Sequence, residues 1–244
     1  MEQAGESVPI AELLDERRHL LEVARCMLGS RTAAEGVVDE AYRRWFGLSD
    51  RQRARMVPRA WLTRAVGSLC LGRPAQPGRG PEPPGTVAGI VGGRSEPECT
   101  EPADRAWRSL RAQGSRPTSP HRHEQIVRSV RRACADGDRG RLMSLLAPDV
   151  TAFFDGGGKV RALTRPVDGA ERVARSLLTL FAGHPRTTLH THSVNGSTGV
   201  VARCDDQVAA VITFDVAGAR VVLVWAVLNP DKLRTWNHPR PSSD

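Results

Sequence analysis

The sequence predicts two structured regions of different class: an all-α region near the N-terminus and an α+β domain towards the C-terminus. Three observations carry that division. Apolar residues recur at helical spacing through residues 10–72. Between Gly72 and Pro102, Pro74, Pro77, Pro81, Pro83, Pro84, Pro97 and Pro102 sit among closely spaced glycines, and no regular element survives such punctuation for long. Beyond residue 121, helical patterns give way to short β-type runs, the signature of a curved antiparallel sheet packed against helices. The expected organisation is a helical domain over 1–72, a Pro/Gly-rich linker over 73–120 and an α+β domain over 121–244.

The first helix is expected from Ile10 to Leu28, where Leu13, Leu14, Leu20, Leu21, Ala24, Met27 and Leu28 form one stripe and Gly29-Ser30 stops the helix. The second runs from Thr32, the expected N-cap with Glu35 three residues on, to Phe46. It buries Ala34, Val37, Val38, Ala41, Tyr42 and Trp45 and leaves Glu35, Asp39, Glu40, Arg43 and Arg44 off that face. Pro58 opens a third helix, with Trp61, Leu62, Ala65, Val66 and Leu69 inward. A short helix is expected over Ala103–Gln113. In the last domain, helices are expected over 124–135, 139–146 and 169–181, and strands over 150–154, 187–194, 199–203, 207–216 and 220–228. Asn195-Gly196 and Ala217-Gly218 mark turns between strands.

The chain has 244 residues and a net charge of +8, but only Lys159 and Lys232 of its 35 Lys/Arg are lysine. The charge is spread, with 19 Lys/Arg against 15 Asp/Glu in residues 1–123 and 16 against 12 in residues 124–244. Such a balance favours polyanions without marking out a binding stripe. Cys26, Cys70, Cys99, Cys134 and Cys204 are odd in number and lack C-x-x-C spacing, so neither a disulfide framework nor a zinc site is expected, and no metal or cofactor. No apolar run reaches membrane-spanning length and no signal peptide is visible, so the expected compartment is the cytoplasm, with no membrane partner.

The segments ELLDERRHLLEVARCMLGS (12–30), AAEGVVDEAYRRW (33–45) and PRAWLTRAVGSLCL (58–71) closely resemble the core-binding domain of extracytoplasmic-function (ECF) RNA polymerase sigma factors. The segments DGGGKVRA (155–162), RPVDGAERVAR (165–175) and WAVLNPDKLRTW (225–236) are similar to the SnoaL-like cone that follows in one ECF subgroup. The resemblance implies core RNA polymerase as partner, docked on Glu35, Asp39, Glu40 and Arg43. It implies promoter DNA against Arg55, Arg59, Trp61, Arg64 and Arg73, although Trp61 also fits a plain core position. It further implies a regulatory contact through Asp155, Lys159, Asn229, Asp231 and Lys232. A non-enzymatic role in transcription initiation follows from it.

Three departures narrow that expectation. Gly36 stands where the family commonly has an acid. Gly72 and Pro74 end the third helix where the basic helix reading the −10 element continues in the family. The family's −35-reading domain of some fifty residues is reduced to a remnant after Pro81-Glu82-Pro83, with Pro97 and Pro102 inside the expected recognition helix. The alternative is a small-molecule-binding or enzymatic cone with a vestigial sigma region. Relatives of the cone use pocket acids and bases, and His190 and His192, at alternate positions of one strand, with Asp155 and Asp215, are the candidates. Decay of the whole chain is disfavoured, because the core positions of residues 10–71 and 124–236 remain apolar.

Overall fold

Gly29 ends the first helix, α1 (Ile10–Leu28), by adopting φ +68°, a left-handed conformation that glycine enters without a Cβ penalty. The computed structural model describes residues 8–72, 118–182 and 185–237. Arg73, the linker prolines and the helix expected over 103–113 lie outside the described residues. Within them the chain forms two compact units: residues 8–18 with 118–237, and residues 19–72. The unit boundary therefore falls inside α1.

In the second unit, α2 spans Arg31–Phe46. Its N-cap is Ser30, whose hydroxyl accepts from the Ala33 amide at 3.4 Å. The sequence reading placed the cap at Thr32. Ser30, extended directly after the left-handed Gly29, reaches the free amides of the first turn before Thr32 can. Gly36 is exposed, and the helix continues through it. A short α3 (Asp50–Arg53) is held by a capping box between Ser49 and Gln52. Pro58 opens α4 (Pro58–Leu71) at its first turn, and the helix ends on Gly72.

The core of this unit is Leu20, Ala24, Val37, Val38, Ala41, Tyr42, Trp45, Leu62, Val66 and Cys70. Leu62 and Val66 are fully buried, so truncating Leu62 to alanine costs about 2–5 kcal/mol. Met27, expected in the stripe of α1, is 41% exposed. It lies in the last turn of α1, next to the break at Gly29.

The larger unit has α5 (Pro120–Ala135), α6 (Arg139–Leu145), β1 (Leu146–Asp155), β2 (Val167–Asp168), α7 (Ala170–Leu180), β3 (Thr187–Val194), β4 (Ser197–Cys204), β5 (Gln207–Ala217), β6 (Arg220–Val227) and α8 (Pro230–Asn237). The sheet order is β2-β1-β6-β5-β4-β3. The strands from β3 to β6 are joined by hairpins, and the turns explain their registers. Asn195-Gly196 (φ +50° and +79°) joins Val194 to Ser197, and Asp205-Asp206 (φ +49° and +63°) joins Cys204 to Gln207. The last turn is Gly218-Ala219, with Gly218 at φ +62° and Ala217 already paired to Arg220.

The sheet is mixed rather than wholly antiparallel as expected. β1 runs parallel to β6, from Thr151 opposite Leu223 to Asp155 opposite Val227. A parallel neighbour needs a long crossover, and the connection from β1 to β6 runs through α7 and three further strands. One face of the sheet carries Ala152, Phe154, Ala210, Ile212, Phe214, Val224 and Ala226 into a core with α5, α6 and α7. Ile10, Ala11 and Leu13 of α1, each at most 2% exposed, belong to that same core. The opposite face carries Val201, Val211 and Val227, covered by Leu233 and Trp236 of α8. This helix was not expected from the sequence, where only its motif stood out.

Candidate functional site

The surface of α2 is built from local pairs. Arg31 Nε donates to Glu35 at 3.1 Å, Arg44 Nε to Glu40 at 2.9 Å, and Arg43 also pairs with Glu40. Partners three or four residues apart face each other on a helix, so these contacts follow from spacing alone. Asp39 is half-buried on the same surface. Glu35, Asp39, Glu40 and Arg43 thus share one polar side of α2, opposite the buried stripe that ends at Trp45.

Arg55, Arg59 and Arg64 are exposed and, among the described residues, have no ion-pair partner. Trp61 is half-buried, its ring 5.3 Å from that of the buried Trp45 and tilted by 57°. That contact supports the core role that its spacing with Ala65 and Leu69 predicts. Val57 and Leu71, at the two ends of α4, are 70% and 80% exposed.

In the larger unit, Asp155, Lys159, Asn229, Asp231 and Lys232 come together where β1 and β6 end and α8 begins. Lys232 Nζ reaches Asp155 at 2.8 Å, and the other carboxylate oxygen of Asp155 accepts from the Gly157 amide at 2.9 Å. Lys159 Nζ meets Asp231 at 2.6 Å. The Lys159 hydrogen bond holds the Asp231 carboxyl below its ordinary value, with smaller help from the charges of Lys159, Arg234 and Arg17. Asn229 starts α8: its side-chain oxygen accepts from the Asp231 amide at 3.0 Å, and its carbonyl accepts from Leu233. Gly157, at φ +59°, lies against the Asn229 amide, where a Cβ would overlap it.

From there α8 runs about 12 Å across the sheet. At its far end Trp236 meets His192 edge-on at 5.3 Å, and Asn237 bonds both the amide (2.7 Å) and the carbonyl (3.0 Å) of Val208. The quoted motif WAVLNPDKLRTW is therefore one strand end, one cap and one covering helix.

The sequence reading missed the partners supplied by α1. Glu16, 3% exposed, takes the Arg161 guanidinium in contacts of 2.9–3.0 Å. Arg17 donates to the Lys159 carbonyl at 2.8 Å. Arg186 joins Asp15 (2.8 Å) to Asp205 (2.6 Å), and the Asp15 hydrogen bond raises its pKa further. A signal for the first pair was present: Glu16 falls between Leu13 and Leu20 on the apolar stripe of α1, and a carboxylate there needs a cation.

The enzymatic candidates are not assembled. His190 and His192 do share one face of β3, exposed, with His190 bonded to Thr188 at 3.1 Å. His190 and Asp155 lie in one register row, His190–Val201–Val211–Val227–Asp155, which puts four strand spacings, about 19 Å, between them. Asp215 is raised above its ordinary carboxyl value by burial, partly offset by the charge of His123, and lies four residues further along β5. Burial also pushes the Cys134 thiol up to about 12, so it remains protonated and inert. Among the described residues no cluster of His, Cys, Asp or Glu has the arrangement of a metal site, and no helix is long and apolar enough to cross a membrane.

The chain is homologous to ECF RNA polymerase sigma factors. One relative that matches along almost the whole chain is the ECF sigma factor SigJ of Mycobacterium tuberculosis, 26% identical over 91% of this chain and 92% of SigJ. That alignment runs over 292 positions, of which this chain fills about 222 (91% of 244 residues), so about 70 of them have no counterpart here. The ECF sigma factor SigI of the same species matches 60% of this chain and 49% of its own length, at 26% identity. The SigJ crystal structure covers 92% of this chain and 98% of its own, at 25% identity and a TM-score of 0.38. A SnoaL-like protein from Burkholderia thailandensis covers 45% and 97%, at 17% identity and a TM-score of 0.36. No protein-family model matches the chain.

Proposed function

We propose that this chain binds core RNA polymerase as a sigma factor does, through the polar side of α2 formed by Glu35, Asp39, Glu40 and Arg43. The observation that carries the proposal is the match to SigJ along 91% of the chain. The intact core of α2 and α4 supports it, because a rigid helix face is what a docking surface requires. Glu40 pairs with the exposed Arg43 and Arg44, and Glu35 with the exposed Arg31, all on the same helix. Such pairs are worth about 0.3–0.5 kcal/mol, so exchanging them for a partner's cations costs little.

Arg55, Arg59 and Arg64 then meet promoter phosphates, joined by Arg73 from outside the described residues, with Trp61 at their edge. Reading of the −35 element is lost in this proposal. The roughly 70 aligned positions without counterpart here support that, since they leave room for the fifty or so residues expected to be missing. The cluster of Asp155, Lys159, Asn229, Asp231 and Lys232 acts as a regulatory element, and the role is one of binding, not catalysis. The cytoplasm is the compartment in which polymerase is met.

Co-purification of the full chain with core polymerase at low salt tests the reading, with and without promoter DNA. A stoichiometric complex, strengthened by promoter DNA, is expected. Failure to co-elute at low salt excludes it.

A further inference from the structure

Beneath the start of α1 the larger unit keeps a cleft with room for about 10 Å³, close to one water, walled by Phe154, Ala162, Leu163, Leu180 and Leu228. Arg161 stands at its rim, and Val8 and Leu13 close it. The closing segment presents one particular chemistry. Leu13 and Glu16 lie three residues apart on the same side of α1, so an apolar arm enters the cleft while a carboxylate beside it takes the guanidinium. Side-chain exposure is 4% for Glu16 and 19% for Arg161, so the pair is largely withdrawn from water. A guanidinium so placed must keep an anion, whichever molecule supplies it.

From this we infer that the cleft is a binding site for a small apolar monocarboxylic acid, held by Arg161 and the apolar walls, with residues 8–16 as its displaceable cover. Glu16 occupies the position of the ligand carboxylate, and Val8 and Leu13 occupy that of its hydrocarbon chain. Release of the cover exposes a cleft large enough for those two side chains. No bond is made or broken; one carboxylate replaces another on Arg161. The inference stands independently of polymerase binding, and its test contains no polymerase.

Octanoate, with octanol as its uncharged counterpart, probes the site in the full-length protein by titration calorimetry. Octanoate is expected to bind about tenfold tighter than octanol, because only the acid can pair with the guanidinium. Glu16→Gln, which removes the competing carboxylate, is expected to tighten octanoate about tenfold further. Arg161→Gln is expected to abolish the preference for acid over alcohol, and Leu163→Trp, which fills the cleft, to abolish both. Octanoate is also expected to speed tryptic cleavage after Arg17 and Arg18, which directly follow the cover in α1. The proposal is overturned by octanoate binding to neither wild type nor Glu16→Gln, by octanol binding as tightly as octanoate, or by binding that survives Leu163→Trp. Should the substituted chains fail to fold, the comparison of acid with alcohol on the wild type decides alone.

Discussion

The two units differ in how far their ion pairs reach. On α2 and α3 the pairs are local: Arg31–Glu35, Arg43–Glu40, Arg44–Glu40 and Arg53–Asp50 are all three or four residues apart, each with at least one largely exposed side chain. The larger unit has local pairs too, such as Arg128–Glu124 and Arg175–Glu171, and adds pairs that join distant segments: Glu16 to Arg161, Asp15 to Arg186, Asp155 to Lys232 and Lys159 to Asp231. Local surface pairs form and break with the helix intact, and they leave the face free to exchange partners. Long-range pairs tie one element to another, and a withdrawn pair leaves an uncompensated charge when broken. On the proposed reading, the α2 surface serves association and the long-range pairs hold shape, and substitutions at the two should separate in the same way.

The largest effect is expected at Glu16. Glu16→Ala leaves Arg161 withdrawn without its anion and should lower unfolding stability by about 3–5 kcal/mol, read from urea midpoints. Gly157→Ala comes next, at about 2 kcal/mol, because φ +59° and the adjoining Asn229 amide both resist a side chain. Asn237→Ala should cost about 1–2 kcal/mol by leaving the Val208 amide and carbonyl without their partner. Glu40→Gln should change stability by no more than about 0.5 kcal/mol, a near-silent result that the comparison requires.

A pH profile sharpens the contrast. The folded-state pKa of Asp231 is lowered, so the stability it contributes is present above its ordinary value of 3.8 and is lost as pH falls through the folded value. Lys159→Met should therefore flatten the acid limb of the stability profile, whereas Arg31→Met on α2 should leave that limb unchanged.

Much of the fold was legible from periodicity and punctuation. The bounds expected for α1, Ile10 and Leu28, and for β3, Thr187 and Val194, are those observed, because a helical stripe ending at Gly29 and a run ending at Asn195-Gly196 are unambiguous local signals. The Asp205-Asp206 turn was missed, since acids only tolerate the left-handed conformation where glycine favours it. The parallel pairing of β1 with β6 was not legible, because alternation reports which face a residue occupies and nothing about the direction of the neighbouring strand. That residues 10–18 belong to the larger unit was hidden for a similar reason: an apolar stripe shows that α1 packs, not against what. The candidate cluster at the start of α8 was found through its motif, while its neighbour Arg161 was passed over, its partner lying 145 positions away.

The measurement that bears most directly on the central claim is the affinity of core RNA polymerase for the wild-type chain and for Glu35→Ala/Glu40→Ala, taken beside their unfolding midpoints. The account predicts a complex with the wild type and affinity weakened by about tenfold or more in the variant, at an almost unchanged midpoint. Equal affinities for the two chains, or no complex with either, would contradict it.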